Sequence, residues 1–498
     1  MKLMSSPIPA PVPLHPDARR RLAALEARLA EDLALLNDPP ANWVPPTAGP
    51  NGEPVSDVVV VGGGMCGLVA AFALKRAGIA NIRILDRNSA GLEGPWMTYA
   101  RMETLRSPKQ LLGPAYGMPS LTFQAWYRAT HGSSAWEQLF RIPRPLWMEY
   151  LRWYRAVLKL PVENGVHVSR VGPAADGILA LEIAGSAQPI LARRVVLANG
   201  REGLGKPTIP AFTDGLPRER WAHSMDDIDF EALKGRRVVV IGVGASAVDN
   251  AATALEAGAA EVRLLARRAV MPTINKLMGV GSYGLVAGFP ALSPDWRWRI
   301  MNYAGRQQTP APSNSTRRVG RFPNAFFHFD AGIARASVEE GSVRLETTKG
   351  RVFETDFVIL GTGFTIDATA RPELEPHTAA VAAWRDRYTP PPEEANEDLA
   401  SFPWLAEDFS FTEKRPGEAP WLSQVHCFNY GATMSLGKVS GDIPAISEGA
   451  AWLTRGIAAA LFRDDVETHW ANLLAYSKPE LIGDEWTDAD APARAEAV

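Results

Sequence analysis

An α/β fold made of two three-layer units, the second inserted into the first and both preceded by a helical arm, is predicted by three observations. Residues 58–61 are four consecutive valines, followed by Gly62, Gly64 and Gly67. Residues 238–241, opened by Arg237, are a second β-branched run, followed by Gly242, Gly244 and Ala247. A third apolar run, residues 357–360, ends in Gly361 and Gly363. Short uncharged β-branched runs closed by glycine read as buried parallel strands. At the spacing G-x-G-x-x-G the first glycine permits a tight turn and the second lets backbone approach a pyrophosphate. The third lets the following helix pack on the strand. Both units are therefore expected to be Rossmann-like and to bind dinucleotides.

Along the chain, residues 1–16 are Pro-rich and read as an extended arm. Residues 17–37 carry Leu22, Leu25, Leu29, Leu33 and Leu36 at near-helical spacing and predict one amphipathic helix, stopped by Asp38-Pro-Pro. It would dock on its own chain or on a second subunit. The first nucleotide unit opens at residue 55. Its helix spans 68–77, and a second strand, 82–85, ends in Asp86, a carboxylate suited to a ribose diol. Arg87 follows it, and the run Gly91-Leu-Glu-Gly-Pro-Trp96 then falls at the carboxyl ends of the strands, where open α/β sheets bind ligands. Residues 147–158 form an amphipathic helix, and 166–168 and 179–183 belong to a small sheet. The strand 194–198 ends in Asn199 and Gly200, where a glycine admits a nucleotide.

In the second unit, helix 248–257 and strand 262–265 lead to Ala266, which takes the place of Asp86, with Arg267 and Arg268 directly after. Two guanidiniums and no carboxylate favour a 2′-phosphate, hence NADPH over NADH; the competing reading is a pair of ordinary solvated charges. Residues 279–320 read as irregular loops over a pocket. Strands resume at 343–347 and 352–353, and the strand ending in Thr362 and Gly363 is expected to return the chain to the first unit. Residues 445–462 form an Ala-rich helix covering the sheet, and the last dozen residues read as frayed. The expected divisions are 1–54 for the arm, 55–215 and 355–498 for the two parts of the first domain, and 216–354 for the inserted one.

Composition narrows the class of function. A 498-residue chain with 46% hydrophobic and 21% charged residues is globular, and no apolar run reaches membrane-spanning length. The amino terminus lacks the charged-then-apolar layout of a signal peptide, so the cytoplasm is the expected compartment. A net charge of -3 gives no reason to expect nucleic acid or a membrane surface. With only Cys66 and Cys427, and no C-x-x-C, neither a disulfide framework, a Cys-based metal site nor a redox dithiol is expected. Fifteen tryptophans fit broad apolar pockets or wide interfaces, which leaves a homo-oligomer open.

Two dinucleotide turns about 180 residues apart, the first ending in an acid and the second in arginines, resemble the plan of the class B flavin-dependent monooxygenases. These include flavin-containing, Baeyer–Villiger and N-hydroxylating enzymes. The likeness runs from residue 55 to residue 462. Thr104-Leu-Arg-Ser-Pro-Lys-Gln-Leu-Leu112 resembles the T-L-R-x-P segment of the N-hydroxylating branch, and Pro143 to Trp153 resembles its R-x-x-F-x-x-Y-L-x-W helix. The F-x-G-x-x-x-H fingerprint of other branches is broken: His223 fits, but Pro217 and Glu219 stand at the Phe and Gly positions.

The resemblance implies FAD on the first unit, contacted by Gly62, Gly64, Met65, Cys66, Gly67, Asp86, Arg87, Trp96, Asn199, Gly200, Thr362 and Gly363. It implies NADPH on the second, contacted by Gly242, Gly244, Ala245, Ser246, Ala247, Arg267 and Arg268. The implied activity is reduction of FAD by NADPH, capture of O2 as a flavin hydroperoxide, and transfer of oxygen to nitrogen or sulfur of a small organic substrate. Baeyer–Villiger attack on a ketone, or electron transfer without oxygen insertion, are the alternatives. Arg106, with Lys109 and Gln110 beside it, and Arg318 are the candidate side chains at the flavin; Arg106 could instead cap a loop carbonyl. His223 reads as a structural hydrogen-bonder or a catalytic base, and Asn429, Tyr430 and the run Ser440-Gly-Asp442 stand near the implied substrate end.

Overall fold

The computed structural model describes residues 12–482, 484–487 and 489; most of the expected arm and of the last dozen residues lies outside them. The N-terminal helix α1 (Ala18–Leu35) docks on its own chain, burying Leu25 and Leu29. Polar ties hold it there: the Trp153 indole donates to Glu26, and Arg28 and Asp32 both bond Ser120.

The first unit starts with β1 (Val55–Val61), α2 (Met65–Arg76) and β2 (Ile82–Asp86). Ten of the twelve residues of α2 are buried, so it is apolar all round instead of amphipathic. Helices α3 (Phe123–His131), α4 (Ser133–Gln138) and α5 (Arg144–Val157) follow, joined by an aromatic cluster centred on Phe123, Trp147 and Tyr150. Strands β3 (Val162–Asn164), β4 (Val168–Pro173), β5 (Leu179–Ile183) and β6 (Ile190–Leu197) complete a sheet of order β3-β2-β1-β6-β5-β4. The β3, β2, β1 and β6 strands are parallel, and β5 and β4 are added antiparallel.

The chain leaves through β7 (Gly205–Pro207) and builds a second sheet from β8 (Trp221–His223), β9 (Arg237–Ile241), β10 (Glu261–Leu265), β11 (Ala325–His328) and β15 (Phe357–Leu360), all parallel, in the order β11-β10-β9-β15-β8. Helix α6 (Ala245–Glu256) lies on one face, against Val238, Val240 and Ile359. The antiparallel sheet β12 (Ile333–Glu339), β13 (Ser342–Thr347) and β14 (Val352–Thr355) lies on the other, where Val343 and Leu345 meet Val239, Val358 and Leu360. Period-2 alternation along each central strand feeds both cores, which makes this unit three-layered.

Two expectations change. The stretch 279–320 is helical over α7 (Tyr283–Gly288), α8 (Pro294–Gln307) and α9 (Ser313–Gly320). Its glycines and prolines lie mostly between and at the starts of those helices, where they do not break them. And β15, expected to return the chain to the first unit, is a central strand of the second sheet. The return follows it: β16 (Phe364–Ile366) runs antiparallel to β7, so the outgoing and incoming connections are hydrogen-bonded to each other. Short helices α10 (Glu397–Ala400) and α11 (Thr433–Leu436) then flank β17 (Val425–His426), which joins β6 in the first sheet. Helix α12 (Ile446–Asp464) packs on α2, and α13 (Val466–Ala475) ends the fold.

The two units are fastened where the loop 96–106 of the first meets α6 and α9 of the second. Arg318, 2% exposed, donates to Glu256 at 3.0 and 2.7 Å, to Asp249 at 3.4 Å and to the Arg101 carbonyl at 3.2 Å, with Glu103 3.4 Å away. Arg101, 3% exposed, reaches the Asp226 carbonyl, and Asn314 donates to the Thr104 hydroxyl. Removing one partner of a buried ion pair leaves the others uncompensated. Arg318→Met is therefore expected to lower unfolding free energy by about 3–5 kcal/mol in chemical denaturation and to open the loop 96–106 to proteolysis; an unchanged denaturation midpoint would contradict the fastening role.

Candidate functional site

At the first turn the glycines do what their spacing requires. Gly62 has φ +110°, and a Cβ there would lie 2.5 Å from the Ala198 carbonyl oxygen. A Cβ on Gly67 would collide with the Gly62 carbonyl, so α2 can begin where it does only with glycine at that position. Gly64 differs: a Cβ there would meet nothing closer than the backbone N and Cα of Gly94, at 3.7 Å. The turn and the Gly91–Trp96 loop thus meet backbone to backbone at van der Waals distance with no side chain between them, beside the unpaired first amides of α2. Gly94 was not singled out from sequence; its signal was the Gly-Pro-Trp run at the end of β2.

Asp86, 6% exposed, accepts the Gly63 amide at 2.7 Å and the Asn88 amide at 2.8 Å. Burial raises its pKa, and those amides oppose the rise. Two of the roughly four lone-pair positions of a carboxylate remain for hydroxyl donors. Arg87 pairs with Glu202 at 2.7 Å across the strand ends. Trp96 presents its carbonyl to Arg144 and its ring edge to Trp147. Met65 and Cys66 are buried in the first turn of α2, where the Cys66 thiol donates to the Ser440 carbonyl and is pushed up to about 12 by burial. It is a packing residue in its ordinary protonation state. Beside Gly63 and Gly64 a cavity of 430 Å³ is floored by Leu68, Met148, Leu151 and Leu160 and rimmed by Arg152 and Lys159. Beyond β6, Asn199 bridges Glu373 and Asn429, and Gly200 has φ +84° with open space around it.

The second turn repeats the geometry. Gly242 has φ +108°, and its Cβ would lie 2.8 Å from the Gly361 carbonyl oxygen. Gly361 in turn has room for no side chain because Ala247 abuts it. Ala245 and Ser246 open α6, with Ser246 exposed. Arg267 and Arg268 stand past β10, and their guanidiniums make no hydrogen bond or ion pair among the described residues, though the Arg268 carbonyl accepts the Asp330 amide at 2.8 Å. Thr362 donates to the Thr208 carbonyl at 2.5 Å, and the Gly363 carbonyl accepts from the Thr208 amide and from His223. His223 Nε2 donates at 3.0 Å while its Nδ1 accepts the Met225 amide at 3.2 Å, which defines a neutral tautomer. Burial lowers its pKa. His223 is thus a structural bridge between β8 and the glycines after β15.

The other candidates divide. Arg106 donates to the Pro310 carbonyl at 2.7 Å, tying the first unit to the second, with its own carbonyl held by Arg141. Burial, then Arg141, lowers its pKa, opposed by nearby Asp442. It stands at the seam between the units, close to the Ser440–Asp442 run that covers Cys66. Lys109 is directed elsewhere: its ammonium donates to the Trp136 carbonyl at 2.6 Å and lies over the Trp136 ring. Gln110 lines a separate shallow depression with Lys109 and Phe140. Arg318 sits in the buried ion cluster described above. Tyr430 lies under the Arg201 guanidinium, and Asn429 donates to the Leu197 carbonyl at the end of β6. Among the described residues no His/Cys/Asp/Glu cluster could hold a metal ion, and no helix is long and apolar enough to cross a membrane.

The arrangement can seat two dinucleotides whose turns, Gly62–Gly67 and Gly242–Ala247, belong to units joined by one seam. Residues 59–278 match the family model described as pyridine nucleotide-disulphide oxidoreductase. The chain is 39% identical over 468 residues to the FAD-dependent urate hydroxylase of Xanthomonas campestris pv. campestris, covering 93% of this chain and 98% of that one. Among solved structures, the ornithine N-hydroxylase of Kutzneria sp. 744 superposes with a TM-score of 0.62 at 17% identity, over 82% of this chain and 100% of that one. The L-lysine 6-monooxygenase of Pseudomonas syringae gives 0.62 at 18% identity, over 82% and 99%. These two likenesses establish the shared fold.

The neutral His223 has a pH consequence. Below its ordinary value of about 6.5 the unfolded chain binds a proton that the folded one resists, so stability falls as pH drops through that value. His223→Gln should lose part of that slope between pH 7 and 5, read as denaturation midpoint against pH; parallel wild-type and variant curves would contradict it.

Proposed function

We infer the activity from the family to which the chain belongs, the class B flavin-dependent monooxygenases, which makes it an oxidoreductase. The reading that fits best is an FAD- and NADPH-dependent hydroxylase of an electron-rich oxopurine, with urate the first substrate to test because the 39%-identical relative is a urate hydroxylase. The observation that carries the cofactor assignment is the first turn, where Gly62 and Gly67 have room for no side chain and Gly64 meets only the backbone of Gly94, at van der Waals distance. A glycine turn of this kind at a helix N-terminus suits a pyrophosphate, and Asp86 retains lone pairs for a ribose diol. The 430 Å³ cavity beside it, apolar with a basic rim, suits the adenosine half.

When bound, the flavin supplies two-electron chemistry from NADPH to O2, one oxygen atom entering the substrate and the other leaving as water. The chain's own residues bind and orient. The α2 and α6 amides receive phosphates, Arg267 and Arg268 are free to take a 2′-phosphate, and Arg106 holds the two units in register at the seam. A urate-type ring is the first substrate to test, and a small organic substrate oxygenated at nitrogen or sulfur remains the second. Arg106 is the candidate side chain toward the substrate, because its guanidinium gives only one of its N–H donors to the Pro310 carbonyl, whereas Lys109 is turned to Trp136 and Arg318 is enclosed by carboxylates.

Purified protein is expected to be yellow and to consume urate with NADPH and O2, incorporating one atom from labelled dioxygen. NADPH oxidation that yields only hydrogen peroxide with urate, amines, sulfides and ketones alike would replace this reading with a reductase or oxidase. Gly64→Ala, which meets no protein atom within 3.7 Å, should fold normally and lose flavin; retention of full flavin would displace the cofactor from this turn. Arg267→Ala and Arg268→Ala should each weaken NADPH by roughly 1.5–3 kcal/mol with NADH little changed, and equal wild-type use of both would overturn the 2′-phosphate assignment.

A further inference from the structure

In each unit the second glycine of the turn faces a nitrogen donor from a distant loop. Opposite Gly64 it is the backbone N of Gly94, 3.7 Å from where a Cβ would stand. Opposite Gly244 it is the side-chain Nε2 of Gln308, also at 3.7 Å. Neither nitrogen donates a hydrogen bond to any described residue. Each turn thus has one unused N–H donor within van der Waals reach of its second glycine, supplied once by backbone and once by a carboxamide. Gln308 ends α8 with φ +60° and ψ 139°, left-handed backbone that L side chains rarely adopt, and it is held there by its own amide, which donates to Ala304 and Gly305. Two residues on, Pro310 carries the carbonyl that receives Arg106, and Asn314 bonds Thr104. The segment 308–314 therefore spans from the second phosphate turn to the loop of the first unit.

We propose that Gln308 is a dinucleotide-binding residue of the second unit, its carboxamide N–H donating to a pyrophosphate oxygen bound at the Gly242–Ala247 turn. The inference rests on the assignment of a pyridine dinucleotide to that turn. A carboxamide with no partner in its own chain loses no existing hydrogen bond on accepting this role, and a hydrogen bond to a charged oxygen is stronger than one between neutral groups. Gln308→Glu puts a carboxylate against the pyrophosphate and reverses the sign of the contact.

The test is titration of the flavin-loaded enzyme with NADP+, followed by flavin absorbance or calorimetry, on wild type, Gln308→Ala, Gln308→Gly and Gln308→Glu. Removal of the carboxamide should raise Kd roughly tenfold in both the Ala and Gly variants. The Gly variant relieves the left-handed backbone, so an equal loss in both identifies the carboxamide as the cause. Gln308→Glu should weaken binding further, and more at low ionic strength than at high. Flavin content and denaturation midpoint should stay at wild-type values in Gln308→Gly. Wild-type binding with unaltered affinity in the Ala and Glu variants would overturn the proposal while leaving the dinucleotide assignment standing. A wild type that binds neither NADP+ nor NAD+ would remove both.

Discussion

A guanidinium taken almost wholly out of water must have its charge answered locally, and Arg318 draws that answer from both units at once. Glu256 and Asp249 lie on α6 directly behind the second phosphate turn, while Glu103 and the Arg101 carbonyl lie on the loop that follows the first. The same loop carries Arg106 to the Pro310 carbonyl and Thr104 to Asn314. Because desolvated charges tolerate little displacement, this cluster sets the orientation of one nucleotide turn relative to the other. Burial pushes the Asp249 carboxyl up to about 6, with Ser315 and then Arg318 opposing the rise, so this acid is kept ionised at neutral pH largely by its neighbours.

The two turns are alike in backbone and unlike in what surrounds them. Both begin with a glycine at positive φ whose missing Cβ makes room for a carbonyl from the neighbouring strand: Ala198 in one, Gly361 in the other. Around the first turn, charges are internally matched, as in Arg87 with Glu202 and Arg155 with Glu93. At the second, the Arg267 and Arg268 guanidiniums have no partner among the described residues. A tightly held cofactor needs a closed, matched environment, whereas an exchanging dinucleotide must bring its own charge to waiting groups. The electrostatics of the two units differ in that sense, in agreement with one resident and one exchanging nucleotide.

Much of this was legible in the residues. The strand–glycine–helix units at Gly62 and Gly242, the acid at Asp86 and the arginines past β10 all sit where their spacing placed them, since local turns and period-2 strands are encoded within a few residues. Helix α1 followed its leucine spacing too. Less legible was anything requiring a partner far along the chain. The Leu360-Gly-Thr-Gly strand reads as a return to the first unit, but its apolar face fits between β9 and β8, and sheet membership is a tertiary choice. Lys109 and Arg318 share a vocabulary of charge with Arg106, and only packing separates a side chain facing the seam from one facing Trp136 or Glu256.

The sequence by itself determined the two glycine turns, because a glycine's tolerance of positive φ and close approach is a property of the residue and its immediate neighbours. It also determined that no C-x-x-C motif is present, since the two cysteines, Cys66 and Cys427, stand far apart in the sequence. The tertiary structure decided which donors close those turns. Gly94 lies 30 residues beyond Gly64, and Gln308 lies 64 beyond Gly244, yet each stands over its glycine at the same distance. No local pattern marks such a pairing; it exists only once loops from separate elements are brought over one strand end.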